Sequence, residues 1–141
     1  MERTLAILKP DCIRKKLTGR IINKIEEAGF NIIAMKKLLL NKKEAEAFYA
    51  VHKDKSFFPA LINFMTKGPS IVAVLEKENA VHDYRELMGA TNPEEAKPGT
   101  IRFEYAESTR HNIVHGSDSA ENAKKEIYYF FSEKELVSIK N

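Results

Sequence analysis

The sequence of 141 residues is poor in cysteine and in long apolar runs. Its one cysteine, Cys12, has no second cysteine to pair with, which excludes an internal disulfide and indicates a reducing compartment. No run approaches the ~20 apolar residues that a membrane-spanning helix needs. The stretch from Met1 to Lys9 becomes charged after fewer apolar residues than the roughly 7–15 of a signal-peptide core. We therefore expect a cytoplasmic protein without a membrane partner.

The sequence also lacks the common glycine-rich motifs that bind phosphate. Neither G-x-x-x-x-G-K-[ST] nor G-x-G-x-x-G occurs, so a nucleotide would need another kind of site. No Cys and His residues have zinc-ligand spacing, and no G-x-S-x-G elbow is present, so a zinc site and an α/β-hydrolase are unsupported. Histidine, arginine and lysine side chains remain as candidates for chemistry.

Charge of neither sign dominates the chain. Its 23 basic and 20 acidic residues give a net charge of +3 and are spread without a long block of one sign. This does not indicate a protein that requires nucleic acid, although a few cations in one cleft could bind a polyphosphate. The length fits one domain, residues 1–141.

Short apolar runs and helical periodicity predict the secondary structure. Strands are predicted at residues 4–8, 31–40, 71–75 and 112–114. Helices are predicted from Thr18 as N-cap to Gly29, from Asn41 with Glu44 completing a capping box, from near Ser56, and over residues 79–88 to Gly89. A last helix is predicted from Asp118 as N-cap, with Glu121 at the capping-box position.

The order of these elements is β-α-β, a helical insertion, β-α, a loop, and β-α. It predicts an α+β fold of the ferredoxin-like, split β-α-β kind, in which helices pack on an antiparallel sheet. The segment 89–100 has no periodicity, and loops of this length in compact domains are usually functional. Residues 137–141 are predicted to pack loosely.

One histidine stands where a reactive residue would be expected. His115 follows a short apolar run and precedes Gly116 and a predicted helix start. Glycine leaves room for a ligand, and a helix start offers unpaired N–H groups to an anion. Imidazole is a good nucleophile near neutral pH. From the residues alone, a structural histidine with satisfied hydrogen bonds fits this position slightly better than a catalytic one.

The segment N-I-V-H-G-S-D-S, from Asn112 to Ser119, matches the active-site signature of one enzyme family. Five further segments match that family in order and spacing: L-K-P-D at 8–11, F-Y-A-V-H at 48–52, F-F at 57–58, L-M-G-A-T-N-P at 87–93 and P-G-T-I-R at 98–102. The chain thus resembles the nucleoside diphosphate kinases over nearly its whole length. That family transfers the γ-phosphoryl group of a nucleoside triphosphate to a nucleoside diphosphate.

The resemblance implies a ping-pong mechanism through a phosphorylated His115, with little selectivity for the base. It implies that Glu126 hydrogen-bonds the imidazole nitrogen that does not attack. The catalytic residues implied by the resemblance are His115, Glu126, Lys9, Tyr49 and Ser117. Read singly, Glu126 would be a solvated helix carboxylate and Tyr49 a core aromatic residue.

The resemblance also implies a nucleotide site and a metal. The nucleotide-binding residues are Lys9, Phe57, Leu61, Arg85, Thr91, Arg102 and Asn112, with Phe57 stacking on the base. Mg²⁺ is expected to be held mainly by the nucleotide phosphates, and Asp118 is the nearest protein candidate for a ligand. The partners implied are nucleoside tri- and diphosphates and further copies of the chain, in a tetramer or hexamer.

The chain departs from the family pattern in two places. Phe103-Glu104-Tyr105 replaces the common Gly-Asp-Phe, which predicts altered local packing or an altered subunit contact. Thr109, Arg110 and His111 lie close to the expected base slot and put its fit in question.

Two other functions compete with the kinase interpretation of the sequence. An RNA- or DNA-binding module shares the ferredoxin-like scaffold, but the aromatic RNP1 pattern is absent. An inactive homologue would have lost the histidine, the glutamate or a phosphate-binding cation, and all are present.

Overall fold

The computed structural model describes residues 1–139. Its strands are β1 (Glu2–Leu8), β2 (Asn31–Leu38), β3 (Ser70–Lys77) and β4 (Val114–Gly116). Its helices are α1 (Pro10–Arg14), α2 (Thr18–Glu27), α3 (Lys42–Phe48), α4 (Phe58–Thr66), α5 (Ala80–Met88), α6 (Ile101–Tyr105) and α7 (Ala120–Phe130). Short 3₁₀ turns lie at Ala50–His52, Pro93–Glu95 and Glu133–Glu135.

The strands form one antiparallel sheet in the order β2-β3-β1-β4. In the register, Leu5 is opposite Val74 on one side of β1, and Ile7 is opposite His115 on the other. A β-bulge interrupts β2 between Ile32 and Ala34. The predicted α+β fold, with helices packed on an antiparallel sheet, is confirmed.

Strand β1 is apolar and buried from Leu5 to Leu8 because helices cover both faces of the sheet. Its side chains alternate between the two faces, as the two-residue repeat of a strand requires. Leu5 and Ile7 pack into a cluster with residues of α3, α4 and α7. Ala6 and Leu8 pack into a second cluster with residues of α2 and α5. The ends of β1 and β4 therefore lie between two helical layers.

Local sequence signals set some helix ends correctly. The Asn41 side chain accepts from the amide of Glu44, and the Glu44 carboxylate accepts from the amide of Asn41, so the predicted capping box is confirmed. The prediction for Thr18 is wrong, because Leu17 occupies the N-cap position and Thr18 is already helical. The prediction for Asp118 is also wrong. Ser119 caps α7, and its hydroxyl oxygen accepts from the amide of Asn122 at 3.1 Å.

The strand at the histidine lies two residues later than predicted. Residues 112–114 were expected to be extended, but β4 begins at Val114 because the pairing with β1 starts there. His115 is therefore the middle residue of β4. A Cβ atom on Gly116 would lie 2.6 Å from side-chain atoms of both Tyr84 and Met88, so this glycine lets α5 pack closely against the strand.

Two short helices, α1 and α6, were not predicted. Five residues are too few to show helical periodicity. Within α6, Glu104 forms an ion pair with Lys24 of α2 at 2.6 Å, and Phe103 is half exposed. Glu104, within the segment that departs from the family pattern, thus connects α6 to α2 through an ion pair.

The predicted loose packing after residue 136 is wrong for the first two positions. The Val137 amide donates to the Ile33 carbonyl oxygen of β2 at 3.0 Å, and the Ser138 hydroxyl donates to Glu76 at 3.0 Å. The part of the prediction that falls on residues 140 and 141 lies outside the described residues. Over residues 1–139, the structure has no helix with the length and apolar content needed to span a membrane.

Candidate functional site

The His115 ring forms one end of a short hydrogen-bond chain. Its Nε2–H donates to Oε1 of Glu126 at 2.9 Å, and the Ser117 hydroxyl donates to the same oxygen at 2.7 Å. The Ser117 oxygen in turn accepts from the Leu5 amide at 3.2 Å. Because a carboxylate can only accept, Nε2 carries the proton and Nδ1 keeps its lone pair. The side chains of His115 and Glu126 are 21% and 22% exposed, so a ligand can reach them.

Helix α7 brings Glu126 to the histidine. Ala123 and Ile127 are buried against the sheet, and α7 packs along β1. The chain turns between β4 and α7 so that α7 packs along β1, the strand that pairs with β4. The fold thus brings Glu126 next to His115, a contact that their distance in the sequence did not reveal.

Aromatic rings enclose the other side of the imidazole. Phe48 and Tyr49 stand edge-on to the His115 ring, with centroids at 5.8 and 6.4 Å. The Tyr49 hydroxyl is buried and has no hydrogen-bond partner within residues 1–139. Burial, together with the nearby Glu126 charge, raises the pKa of Tyr49, so its hydroxyl stays a neutral donor. Phe48 lies in a segment that matches the family, but the sequence predicted no role for it.

Lys9 lies at the end of β1, where it contacts the loop before β4. Its Nζ donates to Oδ1 of Asn112 at 2.7 Å, and the Asn112 amide nitrogen donates to the Thr91 carbonyl oxygen at 3.3 Å. Burial, with the neighbouring Arg102 charge, lowers the pKa of Lys9 to about 8, and Asp11 opposes this shift. These contacts bring together three residues that the sequence placed in the nucleotide site.

Arg102 is buried and bonded to the backbone. Its guanidinium donates to the carbonyl oxygens of Gly89 at 3.0 Å, Val114 at 2.8 Å and Asn112 at 3.4 Å. Burial lowers the pKa of Arg102 from its usual high value, and the group stays charged at neutral pH. The side chain therefore joins the loop after α5 to the strand of His115. This structural role was not predicted.

A cavity of about 420 Å³ lies beside these residues, between α5 and the loop that follows it. Arg85, Thr91 and Arg102 line it together with Lys97 and Thr100. Arg85 and Lys97 are exposed, whereas Arg102 is buried and fixed by its hydrogen bonds to the backbone. Glu86 and Glu95 also line the cavity, so its three cations outnumber its two carboxylates and leave it suited to an anion.

The residues expected to bind the base lie apart from the polar groups. Phe57 is 43% exposed next to His52, with ring centroids 5.6 Å apart, and Leu61 packs against the core under α4. Arg110 and His111 face α4 across a second cavity, where the His111 ring contacts Phe64 at 4.8 Å between centroids. Arg110 and His111, two of the three residues of this departure, therefore lie next to α4.

No protein cage for a metal is present in the described chain. Residues 1–139 contain no group of three or more His, Cys, Asp or Glu side chains that could hold an ion. Asp118 is exposed, and the Asn122 side chain that donates to it lowers the pKa of Asp118. One ionised carboxylate fits a metal that arrives on a ligand better than a resident one.

The sequence predicted no role for Asp11, which appeared only as part of a matched segment. Asp11 is fully buried, and its Oδ2 accepts from the Ile113 amide at 3.1 Å. The two residues are far apart in the sequence, and only their common burial beside β4 reveals the contact. A charged residue within an apolar stretch was the one available signal.

Comparison with known proteins gives consistent matches over the length of the chain. The family model described as nucleoside diphosphate kinase matches residues 2–136. The nucleoside diphosphate kinase of Salinibacter ruber is 58% identical over 137 residues, which cover 97% of this chain and 96% of that protein. The crystal structure of the Aquifex aeolicus nucleoside diphosphate kinase superposes with a TM-score of 0.94 at 41% identity, covering 96% of this chain and 99% of that one. The halophilic enzyme of Halobacterium salinarum, solved in complex with CDP, superposes with a TM-score of 0.94 at 38% identity and covers 99% and 93% of the two chains.

Proposed function

The chain belongs to the nucleoside diphosphate kinase family, and on that premise we propose that His115 carries the phosphoryl group between two nucleotides. The protein is an enzyme that transfers phosphate between nucleotides. The observation that carries the proposal for His115 is its hydrogen bond from Nε2 to Glu126, which leaves the Nδ1 lone pair available to attack. A carboxylate partner also stabilises the positive charge that the ring gains on phosphorylation.

In the first half-reaction, the Nδ1 lone pair of His115 attacks the γ-phosphorus of a nucleoside triphosphate. The bond from that phosphorus to the bridging oxygen breaks, and the nucleoside diphosphate leaves with the bonding electrons. In the second half-reaction, a terminal oxygen of another diphosphate attacks the same phosphorus and the N–P bond breaks. The proton on Nε2 stays shared with Glu126 throughout.

In this proposal, the phosphates and sugar are bound by Lys9, Arg85, Thr91, Arg102 and Asn112. Phosphoryl transfer is catalysed mainly by positioning and by stabilising charge on the phosphate oxygens. The contacts of Lys9 with Asn112 and of Arg102 with three carbonyl groups support a rigid set of donors. The buried, unpaired hydroxyl of Tyr49 would gain its missing partner in a phosphate oxygen.

Phe57 and Leu61 bind the base by stacking and apolar contact. The exposed ring of Phe57 supports this role, as does the CDP complex of the Halobacterium salinarum relative. A π-face is common to every base, so this contact gives affinity with little selectivity.

Mg²⁺ enters with the nucleotide. Residues 1–139 contain no cluster of three or more metal-binding side chains, which supports this mode of binding. The ion neutralises phosphate charge when it is bound. Asp118, the exposed carboxylate nearest to the signature histidine in sequence, is at most a ligand through water.

We also propose a single domain that acts in the cytoplasm as a homo-oligomer, either a tetramer or a hexamer. Both hydrophobic clusters lie on one sheet, which supports a single folding unit. The edge strand β2 bears a half-exposed Met35 and is followed by an exposed Leu39, which supports a contact between copies of the chain.

Replacement of His115 tests the proposed nucleophile. His115→Ala should abolish transfer from ATP to a second nucleoside diphosphate, because no other group takes the covalent role. His82→Ala is the matched control, since His82 is exposed on α5 and should be dispensable, as should His52 and His111. A folded His115→Ala protein that exchanges phosphate at the wild-type rate would refute the assignment.

A further inference from the structure

The turn that joins Asn112 to β4 has a conformation that its sequence disfavours. Ile113 has a φ of 74°, and the Val114 amide donates to the Asn112 carbonyl oxygen at 2.8 Å. A hydrogen bond between residues i+2 and i around a residue of positive φ is a γ-turn of the rare, strained kind. For a β-branched side chain, such a φ is an outlier that the surrounding structure must hold in place.

The segment after β1 holds this turn through both backbone groups of Ile113. The Lys9 amide donates to the Ile113 carbonyl oxygen at 2.9 Å, and the Ile113 amide donates to Oδ2 of Asp11 at 3.1 Å. Ile113 and Asp11 are both fully buried, and Oδ1 of Asp11 has no partner within residues 1–139. Without the carboxylate, the Ile113 amide would be buried without an acceptor, and the strained turn would lose a support that the Arg102 hydrogen bonds to Asn112 and Val114 do not replace.

The turn joins two parts of the site. On one side, Asn112 contacts Lys9 and Thr91. On the other side, His115 is fixed by the pairing of β4 with β1 and by Glu126. The shape of the turn therefore sets the position of the histidine relative to the phosphate-binding side chains.

We propose that Asp11 is a positioning residue for phosphoryl transfer, which holds the γ-turn at Ile113 and thereby fixes His115 relative to Lys9 and Asn112. The inference rests on the proposed role of His115. Asp11 acts through the turn and does not touch the nucleotide. Displacement of reacting atoms by about 1 Å can cost about a hundredfold in rate. Nucleotide affinity, in contrast, also draws on Arg85 of α5 and Phe57 at the start of α4, neither of which belongs to the turn.

The experiment measures His115 phosphorylation in a single turnover at saturating ATP and Mg²⁺, with nucleotide affinity measured separately. Asp11→Ala should slow phosphorylation by roughly tenfold to a hundredfold and change the nucleotide dissociation constant by less than about threefold. Asp11→Asn keeps an oxygen acceptor for the Ile113 amide, so its rate should stay within about threefold of wild type. Glu76→Ala is the matched control, because Glu76 is also a buried carboxylate but pairs with Arg3 away from the site.

A second variant tests the strain itself. Glycine adopts positive φ without steric cost, so Ile113→Gly should form the turn with less help from Asp11. In that background, adding Asp11→Ala should slow phosphorylation by less than about threefold. Because Ile113→Gly also removes a fully buried side chain, the rate of the double variant is compared with that of the Ile113→Gly single variant. If Asp11→Ala does not fold, Asp11→Asn carries the test, and a loss of rate greater than about threefold in that variant overturns the proposal.

The other outcomes are equally decisive. An Asp11→Ala rate equal to that of wild type would overturn the positioning role, as would an equal loss of rate with and without Ile113→Gly. Weaker nucleotide binding at an unchanged rate would also overturn it. A wild-type chain that forms no phosphohistidine would refute the proposed function and this inference together, which separates that failure from failure of the positioning role alone.

Discussion

Single residues in the site have protonation properties that suit their proposed roles. The lowered pKa of Lys9, about 8, leaves the amine mostly charged at neutral pH but close to losing its proton. The raised pKa of Tyr49 keeps its hydroxyl neutral and able to donate. Both shifts come first from burial, and in both cases burial disfavours the charged form. The site therefore combines a lysine of lowered pKa, the fixed guanidinium group of Arg102 and a neutral donor around the histidine.

Nucleotide affinity should fall as the pH rises above about 8, because Lys9 then loses its proton. The dissociation constant of ADP, measured between pH 6.5 and 9.5, should rise in the wild type and less in Lys9→Arg, whose guanidinium stays charged. Lys125→Met, on the exposed face of α7, is the control for loss of a surface charge. An affinity that is flat across this range would contradict the prediction.

The lowered pKa of Lys9 also makes the free energy of unfolding depend on pH. Its pKa is about 8 in the folded chain and 10.5 in the unfolded chain, so the unfolded chain binds the proton more tightly. The Lys9 contribution to the free energy of unfolding is therefore least favourable below pH 8 and improves between pH 8 and 10.5.

Elements meet at the site because short connections and close packing bring them there. The Arg102 side chain joins the loop after α5 to β4, and Gly116 lets α5 approach the same strand. The chemistry thus depends on contacts between elements as well as on the residues that bind substrate.

Arg102→Lys should reduce both stability and activity. An ammonium group cannot replace the three hydrogen bonds to backbone carbonyls, and leaving these acceptors unpaired should cost about 1–3 kcal/mol in the free energy of unfolding. Arg85→Lys is the matched change on an exposed arginine and should reduce activity without loss of stability. Urea denaturation and transfer rates measure the two effects. Equal stability of Arg102→Lys and wild type would remove the structural role.

Gly116→Ala should destabilise the fold by about 1–3 kcal/mol, because the new Cβ would press on Tyr84 and Met88. Gly19→Ala is the control, since a Cβ there has no atom within 4 Å and lies in helix α2. That change should be neutral or stabilising by up to about 1 kcal/mol. Thermal unfolding of the two variants checks the contrast, and equal melting temperatures would contradict it.

The sequence predicted those elements whose signals are local. The capping box at Asn41 depends on residues three apart, and β1 is defined by its own apolar run. The cap of α7 was misplaced because Asp118 and Ser119 are both good N-cap residues and only the backbone geometry distinguishes them. Helix α6 was too short to recognise. Its Thr100 cap lies at the end of the nonperiodic loop.

The site was predictable only through the family resemblance. The contact of His115 with Glu126 needs the whole of α7 to fold back, and the sequence alone does not encode that path in any local pattern. The contact of Asp11 with Ile113 spans an even longer stretch of chain and was not predicted at all. Long-range contacts of this kind depend on the packing of several elements.

The whole molecule places a small cationic region on a nearly neutral chain. The net charge of +3 is modest, yet Lys9, Arg85 and Arg102 lie around one loop near His115. Local charge of this kind attracts a polyphosphate without making the surface a general binder of anions.

Selectivity for the base should be weak, because in the proposed site Phe57 offers only a ring face and the cations bind phosphate. Turnover with ATP, GTP, CTP and UTP as donors should differ by less than about a hundredfold, or roughly 2.7 kcal/mol in transition-state stabilisation. Steady-state rates at a fixed acceptor measure this. A larger difference would reveal a contact that reads the edge of the base.

Intact-mass spectrometry of the chain after brief exposure to ATP and Mg²⁺, with no acceptor present, tests the central claim most directly. We predict the addition of one phosphoryl group, labile in acid and stable in alkali as expected for a phosphohistidine, that maps to His115 and is lost when any nucleoside diphosphate is added. An unchanged mass, or a label on another residue, would contradict the account.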